Sequence, residues 1–327
     1  MKIALSKLKS TLVEIVSSKY YSREEALRMV DVLLYGEMTG KSTMGLIKLM
    51  GSEPLHEVKP MYAPKIQKET KLSAIIDGGG VAGPLGAQIA VDRLLHIMQS
   101  SGGFGIVGLN NTFSSVCALS YFAKRIVAAG YIAIVCASSP KAIIYPGTKD
   151  PVFGTNPVAF GFPTETYPIL FDAASSAITW YGLVKAKERG EELPLGLAMD
   201  SDGAMTTDAQ QAMNGGILPA GGYKGAGFGL VVELLAGPLI GASYSHLEGD
   251  FGTTFIAIDP DLLGGRSEFK MHASSLVTII KGLRPQSGQK IHVPGFDREE
   301  HIAMLGEDPI IDIDDLVYTK VTSLRKP

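Results

Sequence analysis

The chain has 327 residues, 46% of them hydrophobic and 19% charged, with 30 basic and 33 acidic side chains and a net charge of −3. That is the make-up of a globular protein of two lobes. It excludes a nucleic-acid surface, which needs clustered Lys and Arg for counterion release. It also excludes a membrane span, because no apolar run of the necessary length is free of glycine and polar interruptions.

Residues 4–19 and 23–38 carry apolar positions at helical spacing (Leu8, Leu12, Ile15, Val16; Ala26, Met29, Val30, Leu33, Leu34), and Ser22 with Glu25 forms a capping box for the second. Lys7, Lys9 and Ser10 interrupt any secretory apolar core in the first of these, so the expected compartment is the cytoplasm. After Met50 a charged connector leads into SAIIDGGGVAGPLGAQIAVDRLLHIMQ, which reads as a short strand, a glycine turn and a helix from about Leu85 to Met98. FGIVGLN is the next strand, Ser115 to Ala129 the next helix and YIAIVCAS the strand after it. From Pro151 to about Leu283 short β-type runs (PVAFGFP, PILFDAASS, TTFIAID) alternate with helices near 175–188, 228–241 and 272–283, before a tail with IHVPGF, a charged helix and the acidic EDPIIDIDDL. The pattern is α/β or α+β. It divides into a helical cap and catalytic domain (1–120 with 285–327) and an inserted nucleotide-binding domain (121–284). Cys117 and Cys136 lie in apolar settings and are read as free thiols.

A Rossmann unit is the first architecture to test, and the sequence fails it. Gly102, Gly103 and Gly105 precede a strand instead of following one, and no acidic residue closes the strand after GGGVAG at the required distance. A different anion site stands at Gly215–Gly241, GGILPAGGYKGAGFGLVVELLAGPLIG, where Lys224 is set between Gly221-Gly222 and Gly225-Gly227 ahead of a helix expected at about Phe228 to Leu235. Glycines admit close backbone approach, a helix N-terminus offers unpaired N–H groups and the lysine adds charge, which together suit a phosphorylated cofactor. The bland alternative is a glycine-softened loop with a solvated lysine.

Six ordered segments decide between these: IIDGGGVAGPLGA, FGTNPVAFGFPT, FDAASSAI, MDSDGAMTTDA, GGILPAGGYKGAGFGL and VPGF. Together they resemble the type 2 malate/L-lactate dehydrogenase family over nearly the whole chain. The resemblance implies a homodimer in which a largely antiparallel, non-Rossmann sheet inserted in a helix-flanked catalytic domain binds NADPH or NADH. It implies cofactor contacts at Asp172, Ala173, Ala174, Ser175, Lys224 and Gly225, with further ones at Ser139 and Gly295. Lys141 and Lys149 are candidates for a 2′-phosphate or are plain loop charges. Of the remaining aspartates, Asp200 and Asp202 with Gly203 read as a β-turn and Asp208 as a helix N-cap.

The catalytic motif departs from the family. Where relatives carry Ser-His-Gly followed by Arg, this chain has Thr43, Met44, Gly45 and Lys48, and where they carry Asn-Ser-x-His it has Asn110, Asn111, Thr112 and Phe113. Both expected imidazoles are replaced. The six histidines, His56, His96, His246, His272, His292 and His301, fall in no matching motif and read as surface or core residues, without zinc-ligand spacing.

Hydride addition to a ketone leaves an alkoxide and needs a positioned acid, worth roughly 10²–10⁴ in rate. A cyclic imine can arrive protonated at nitrogen and yields a neutral amine without one. The candidate catalytic set is therefore Thr43 as hydrogen-bond donor, Lys48 as carboxylate anchor, and Met44 and Phe113 as an apolar wall. The favoured substrate is a small cyclic 2-imino acid, Δ1-pyrroline-2-carboxylate or Δ1-piperideine-2-carboxylate. The alternatives are an oxo acid, as in a 2-hydroxy-acid dehydrogenase, or a degenerate member that binds nucleotide without turnover.

Overall fold

The computed structural model describes residues 1–50, 54–243 and 251–325. The chain opens with strand β1 (Lys2–Ala4) and two antiparallel cap helices, α1 (Leu5–Val16) and α2 (Arg23–Met38). The Ser22–Glu25 capping box forms as expected, Ser22 Oγ accepting from Glu25 N and Glu25 Oε2 accepting from Ser22 N. Two tight 3₁₀ turns, Ser42–Met44 and Leu46–Leu49, follow. Strands β2 (Lys65–Glu69) and β3 (Ser73–Asp77), helix α3 (Gly83–Met98), β4 (Phe104–Thr112), α4 (Leu119–Ala128) and β5 (Ile132–Ala137) come next.

The second half contains β6 (Ile143–Ile144), β7 (Pro151–Phe153), β8 (Val158–Phe162), β9 (Ile169–Ala173), α5 (Trp180–Arg189), β10 (Ala198–Met199), α6 (Ala209–Asn214), β11 (Gly216–Ile217), α7 (Tyr223–Ala236) and β12 (Phe251–Ile258). It ends with α8 (Arg266–Lys281), α9 (Phe296–Met304), β13 (Ile310–Asp312) and α10 (Asp315–Thr322).

One seven-stranded sheet, ordered β2-β3-β4-β12-β5-β8-β9, organises the molecule. Only β3 and β4 pair in parallel; every other neighbour pair is antiparallel, so the sheet is not a Rossmann sheet. It draws strands from both sides of residue 120. Along β5 the two-residue strand period separates two cores. Ala133, Val135 and Ala137 join the main core with α1, α2, α3 and α4, whereas Ile134 and Cys136 face Val232 and Ala236 of α7. A smaller four-stranded sheet, β10-β11-β6-β7, is backed by α5 and α6 around Leu183, Ala198, Ala212 and Ile217. The two ends of the chain meet, β1 pairing antiparallel with β13 inside the tail that reads only as acidic.

Four helix starts differ from the sequence expectation, one of them that of the helix expected near 272–283, which begins at Arg266. The helix expected from Ser115 starts at Leu119, because Cys117 takes a left-handed φ of 67° and breaks any helical path before it. That expected near 175–188 starts at Trp180, behind an N-cap in which Thr179 accepts from Gly182 N. The helix expected from Phe228 begins five residues earlier, at Tyr223, after Gly221 and Gly222 turn the chain with φ of 63° and 65°.

Its glycines are kept for packing over propensity. A Cβ on Gly225 would fall 2.6 Å from the Ser175 carbonyl oxygen, and one on Gly229 2.5 Å from the Phe153 ring. Tyr223–Ile240 is long and apolar enough to cross a bilayer by length and composition alone. It contains Lys224 and Glu233, however, and packs against β5, β7 and β12.

Candidate active site

Where the small sheet and α5 meet the end of the large sheet, the protein encloses a cavity of about 190 Å³. Four segments build it. The 3₁₀ turns after α2 contribute Met44 and Lys48, the turn before α4 contributes Ser115, Val116 and Cys117, the β5–β6 connection contributes residues 137–142, and α5 contributes Trp180 and Tyr181 from its first turn. Thr155, Pro157 and Phe251 complete the wall.

Lys48 is the dominant polar feature. Its side chain is buried, with the residue only 2% exposed, and Nζ donates to Ser115 Oγ at 3.0 Å while lying 3.5 Å from the centroid of the Tyr181 ring. Burying an ammonium is costly unless its surroundings compensate. The hydroxyl and the π-face are two of the contacts that hold this cation in a largely apolar chamber. Ser115 is itself fixed, its Oγ accepting from Cys117 N at 3.2 Å. Burial pushes the Cys117 thiol up to about 12, with the Lys48 charge opposing the shift, so the thiol stays protonated and is no nucleophile. Lys141 is a second cation on the cavity wall, and it is exposed.

Met44, Lys48 and Ser139 thus come together, Ser139 Oγ also accepting from Thr155 N at 3.1 Å. Thr43 does not border the cavity. In a turn of three residues successive side chains diverge by about 120°, and it is Met44 that faces the chamber. Phe113 is also absent from the wall. Its ring packs over the glycine turn after β3, where a Cβ on Gly80 would fall 3.2 Å from it, and Trp180 and Tyr181 supply the aromatic surface instead.

Asp172 is taken up internally. Its Oδ2 accepts from Ser120 N at 2.9 Å and Ser120 Oγ at 2.7 Å and pairs with Lys41 Nζ at 2.5 Å, which closes the N-terminus of α4 onto β9. Its carboxylate is therefore not aimed at the cavity. Gly295, with φ of 71°, begins α9 against Leu170, away from the chamber.

The remaining expected cofactor residues form a separate group joined to the cavity wall. Ala173 and Ala174 lead to Ser175, whose N and Oγ donate to the Thr155 carbonyl at 2.9 and 3.0 Å and whose carbonyl accepts from Ala220 N at 2.9 Å. Gly225 packs on that junction. Asn156, buried with φ of 33°, donates to Glu233 Oε2 at 2.7 Å and to the Gly229 carbonyl at 3.0 Å, tying the same loop to α7. Lys224 lies in the first turn of α7 and is exposed; it does not reach the cavity. The glycine turn before it, also exposed, leaves room for a phosphate-bearing ligand at that helix end.

The aspartates away from the site behave as the sequence suggested. Asp200 Oδ1 accepts from Asp202 N in a β-turn, and Asp208 caps α6 by accepting from Gln211 N. Of the histidines, His246 lies outside the described residues, and none of the other five lines the cavity. His56 is 4% exposed, a core residue with its pKa lowered chiefly by burial. Among the described residues no His, Cys, Asp or Glu group has the make-up of a metal site. Sequence reasoning missed Ser115, Trp180 and Tyr181. The one available signal was Trp180, the only tryptophan of the chain, placed beside Tyr181 directly after FDAASSAIT.

Comparison with known proteins identifies the family of the chain. The sequence profile of the malate/L-lactate dehydrogenase family matches residues 3–322. The chain is 29% identical over 340 residues to the malate/(S)-sulfolactate dehydrogenase of Methanothermus fervidus, covering 99% of this chain and 97% of that protein. It is 29% identical over 326 residues to the Δ1-pyrroline-2-carboxylate/Δ1-piperideine-2-carboxylate reductase of Pseudomonas aeruginosa, covering 94% and 95%. The solved sulfolactate dehydrogenase of Methanocaldococcus jannaschii superposes with a TM-score of 0.82 at 27% identity, covering 99% of this chain and 96% of that one.

Proposed function

The chain belongs to the malate/L-lactate dehydrogenase family, a family of NAD(P)-dependent oxidoreductases, and on that premise we propose that it reduces a small cyclic 2-imino acid, Δ1-pyrroline-2-carboxylate or Δ1-piperideine-2-carboxylate. The observation that carries this reading is a cavity with a buried lysine and, among the described residues, no imidazole on its wall. NADPH or NADH, when bound, supplies the hydride. Lys48 Nζ takes the substrate carboxylate, Ser115 holds Lys48 by the 3.0 Å hydrogen bond, and Tyr181 closes over the ammonium. Met44 and Trp180 offer apolar surface to the substrate ring and exclude water around C2. The imine nitrogen arrives protonated, so the missing histidines remove nothing the reaction requires.

The cofactor's reacting end would enter the chamber beside Ser139. The remainder would run past Ser175 and Gly225 toward the exposed Lys224 turn, with Lys141 a further charge for its phosphates. Within this reading Ala173 and Ala174 are backbone contacts, and Asp172, Thr43, Phe113 and Gly295 make no contact with the cavity.

The second reading, a 2-hydroxy-acid dehydrogenase acting on an oxo acid, is favoured by one observation. Lys141 stands on the cavity wall as an exposed ammonium able to supply a proton. We further propose a cytoplasmic homodimer, supported by the exposed apolar stripe of Phe228, Val231 and Leu234 on α7. A monomeric mass in light scattering at micromolar concentration would remove the dimer.

Lys48→Met tests the anchor. Losing a buried, charge-assisted contact to the carboxylate costs about 2–5 kcal/mol, a rise of at least about 30-fold in KM for the acid. An unchanged KM would refute the role of Lys48.

A further inference from the structure

Behind the segment that carries Met44 and Lys48 lies a second groove, of about 800 Å³ and open to solvent, walled by Glu37, Ser42, Lys185, Arg189 and Asp314 among others. Glu37, near the end of α2, links this groove to the segment: its Oε1 accepts from Leu46 N at 2.7 Å. The fit leaves no slack. A Cβ on Gly45 would fall 2.0 Å from that same oxygen, and one on Gly36 would fall 2.8 Å from the Met44 carbonyl oxygen, so helix and segment are in direct contact at two glycines.

Helix α5 holds the segment from another side, with Lys185 Nζ donating to Ser42 Oγ at 3.3 Å, and the same helix carries Trp180 and Tyr181 to the cavity. Lys48 N donates to the Gly45 carbonyl at 3.0 Å, so the placement of residues 45 and 46 sets where the Lys48 side chain begins.

We propose that Glu37 is a positioning residue for the reaction: by accepting from Leu46 N it fixes the turn that directs Lys48 into the cavity. The proposal rests on Lys48 being the carboxylate anchor. Glu37 touches no cavity residue's reacting atom; it acts through the backbone of Gly45 and Leu46. A short 3₁₀ turn has weak internal hydrogen bonds, so an external acceptor at its first N–H is what holds its orientation. The other acids of the groove are engaged elsewhere, Asp314 as the N-cap of α10 and partner of Arg189, and Asp312 and Asp315 with the N-terminal ammonium, whereas Glu37 is bonded to the segment.

Steady-state kinetics of the whole protein test this, using whichever of Δ1-pyrroline-2-carboxylate and pyruvate is reduced faster. Glu37→Met keeps the bulk and removes the acceptor. It should raise KM for the acid by about 5- to 30-fold, the worth of one such hydrogen bond, with kcat and the nucleotide KM within about two-fold of wild type. Glu37→Gln keeps an acceptor oxygen and should restore the wild-type KM. In a Lys48→Met background Glu37→Met should add less than about two-fold, since both act through one contact.

Independent multiplication of the two effects, failure of the glutamine to rescue, or an equal loss for nucleotide and acid would each overturn the proposal. Should Glu37→Met not fold, Gly45→Ala displaces the same carboxylate and must reproduce the selective rise in KM, or the proposal falls. A Lys48→Met enzyme with unchanged KM takes down the anchor and this inference together. A raised KM for Lys48→Met beside an unchanged one for Glu37→Met overturns this inference alone.

Discussion

The ammonium of Lys48 lies 3.5 Å from the centroid of the Tyr181 ring, so one cation of the cavity is capped by a π-face contributed by a helical residue 133 positions further along the chain. A desolvated cation–π contact is worth up to about 2 kcal/mol. The same ring also shields the ammonium from water, which strengthens its attraction for a carboxylate.

Tyr181→Leu should therefore raise KM for the acid substrate by about 2- to 30-fold, the range that about 0.5–2 kcal/mol allows. Tyr181→Phe, which keeps the face, should stay within about three-fold of wild type. Kinetics of the two variants at saturating nucleotide check this, and an equal loss for both would transfer the role to the hydroxyl.

Trp180 gives a direct optical report on the chamber, because it is the only tryptophan and it lines the wall. Reduced nicotinamide absorbs in the tryptophan emission band, so titration with NADH or NADPH should quench Trp180 emission and sensitise the cofactor's own. Trp180→Phe should abolish the sensitised signal without abolishing binding by calorimetry. Binding with no change in Trp180 emission would mean that the reacting end of the cofactor does not enter this cavity.

Glu37 makes stability depend on pH in an unusual direction. Burial raises its pKa from 4.5 to about 7, with the Leu46 N–H bond and Lys185 opposing and Asp314 adding to the shift. Between those two values the folded protein retains a proton that the unfolded chain has released, so stability falls as pH rises, and the loss is complete above pH 7. The cost is on the order of 3 kcal/mol. Glu37→Gln should accordingly be more stable than wild type at pH 8 by up to that amount, with the advantage vanishing toward pH 4.5. Urea melts at the two pH values measure it, and a pH-independent difference would contradict the shift.

Much of the fold is legible in the sequence because its signals are local. The capping box at Ser22, the helical spacing of Leu8 to Val16, and the N-cap at Asp208 depend on neighbours within one turn, and each appears where expected. The failure of the Rossmann pattern is legible for the same reason, since it needs only the order of glycines and strand. What is not legible depends on long-range packing. The close packing of α7 at Gly225 and Gly229 depends on Ser175 and Phe153, far away in sequence. At the site, Lys48 and Met44 are recognisable from a family motif, whereas Ser115 reaches Lys48 across 67 residues of chain and carries no motif of its own. Phe113 shows the limit of motif transfer. The motif puts it at the site, but its ring packs on the Gly80 turn and is absent from the cavity wall.

The central claim is that a chamber with a buried lysine and, among the described residues, no imidazole favours an imine over a ketone. The most direct measurement is the ratio of kcat/KM for Δ1-pyrroline-2-carboxylate to that for pyruvate and for oxaloacetate, with either reduced nucleotide. The account predicts a ratio above about 10², the lower bound of what a missing general acid costs a ketone. A ratio at or below one would contradict it and transfer the assignment to a 2-hydroxy-acid dehydrogenase.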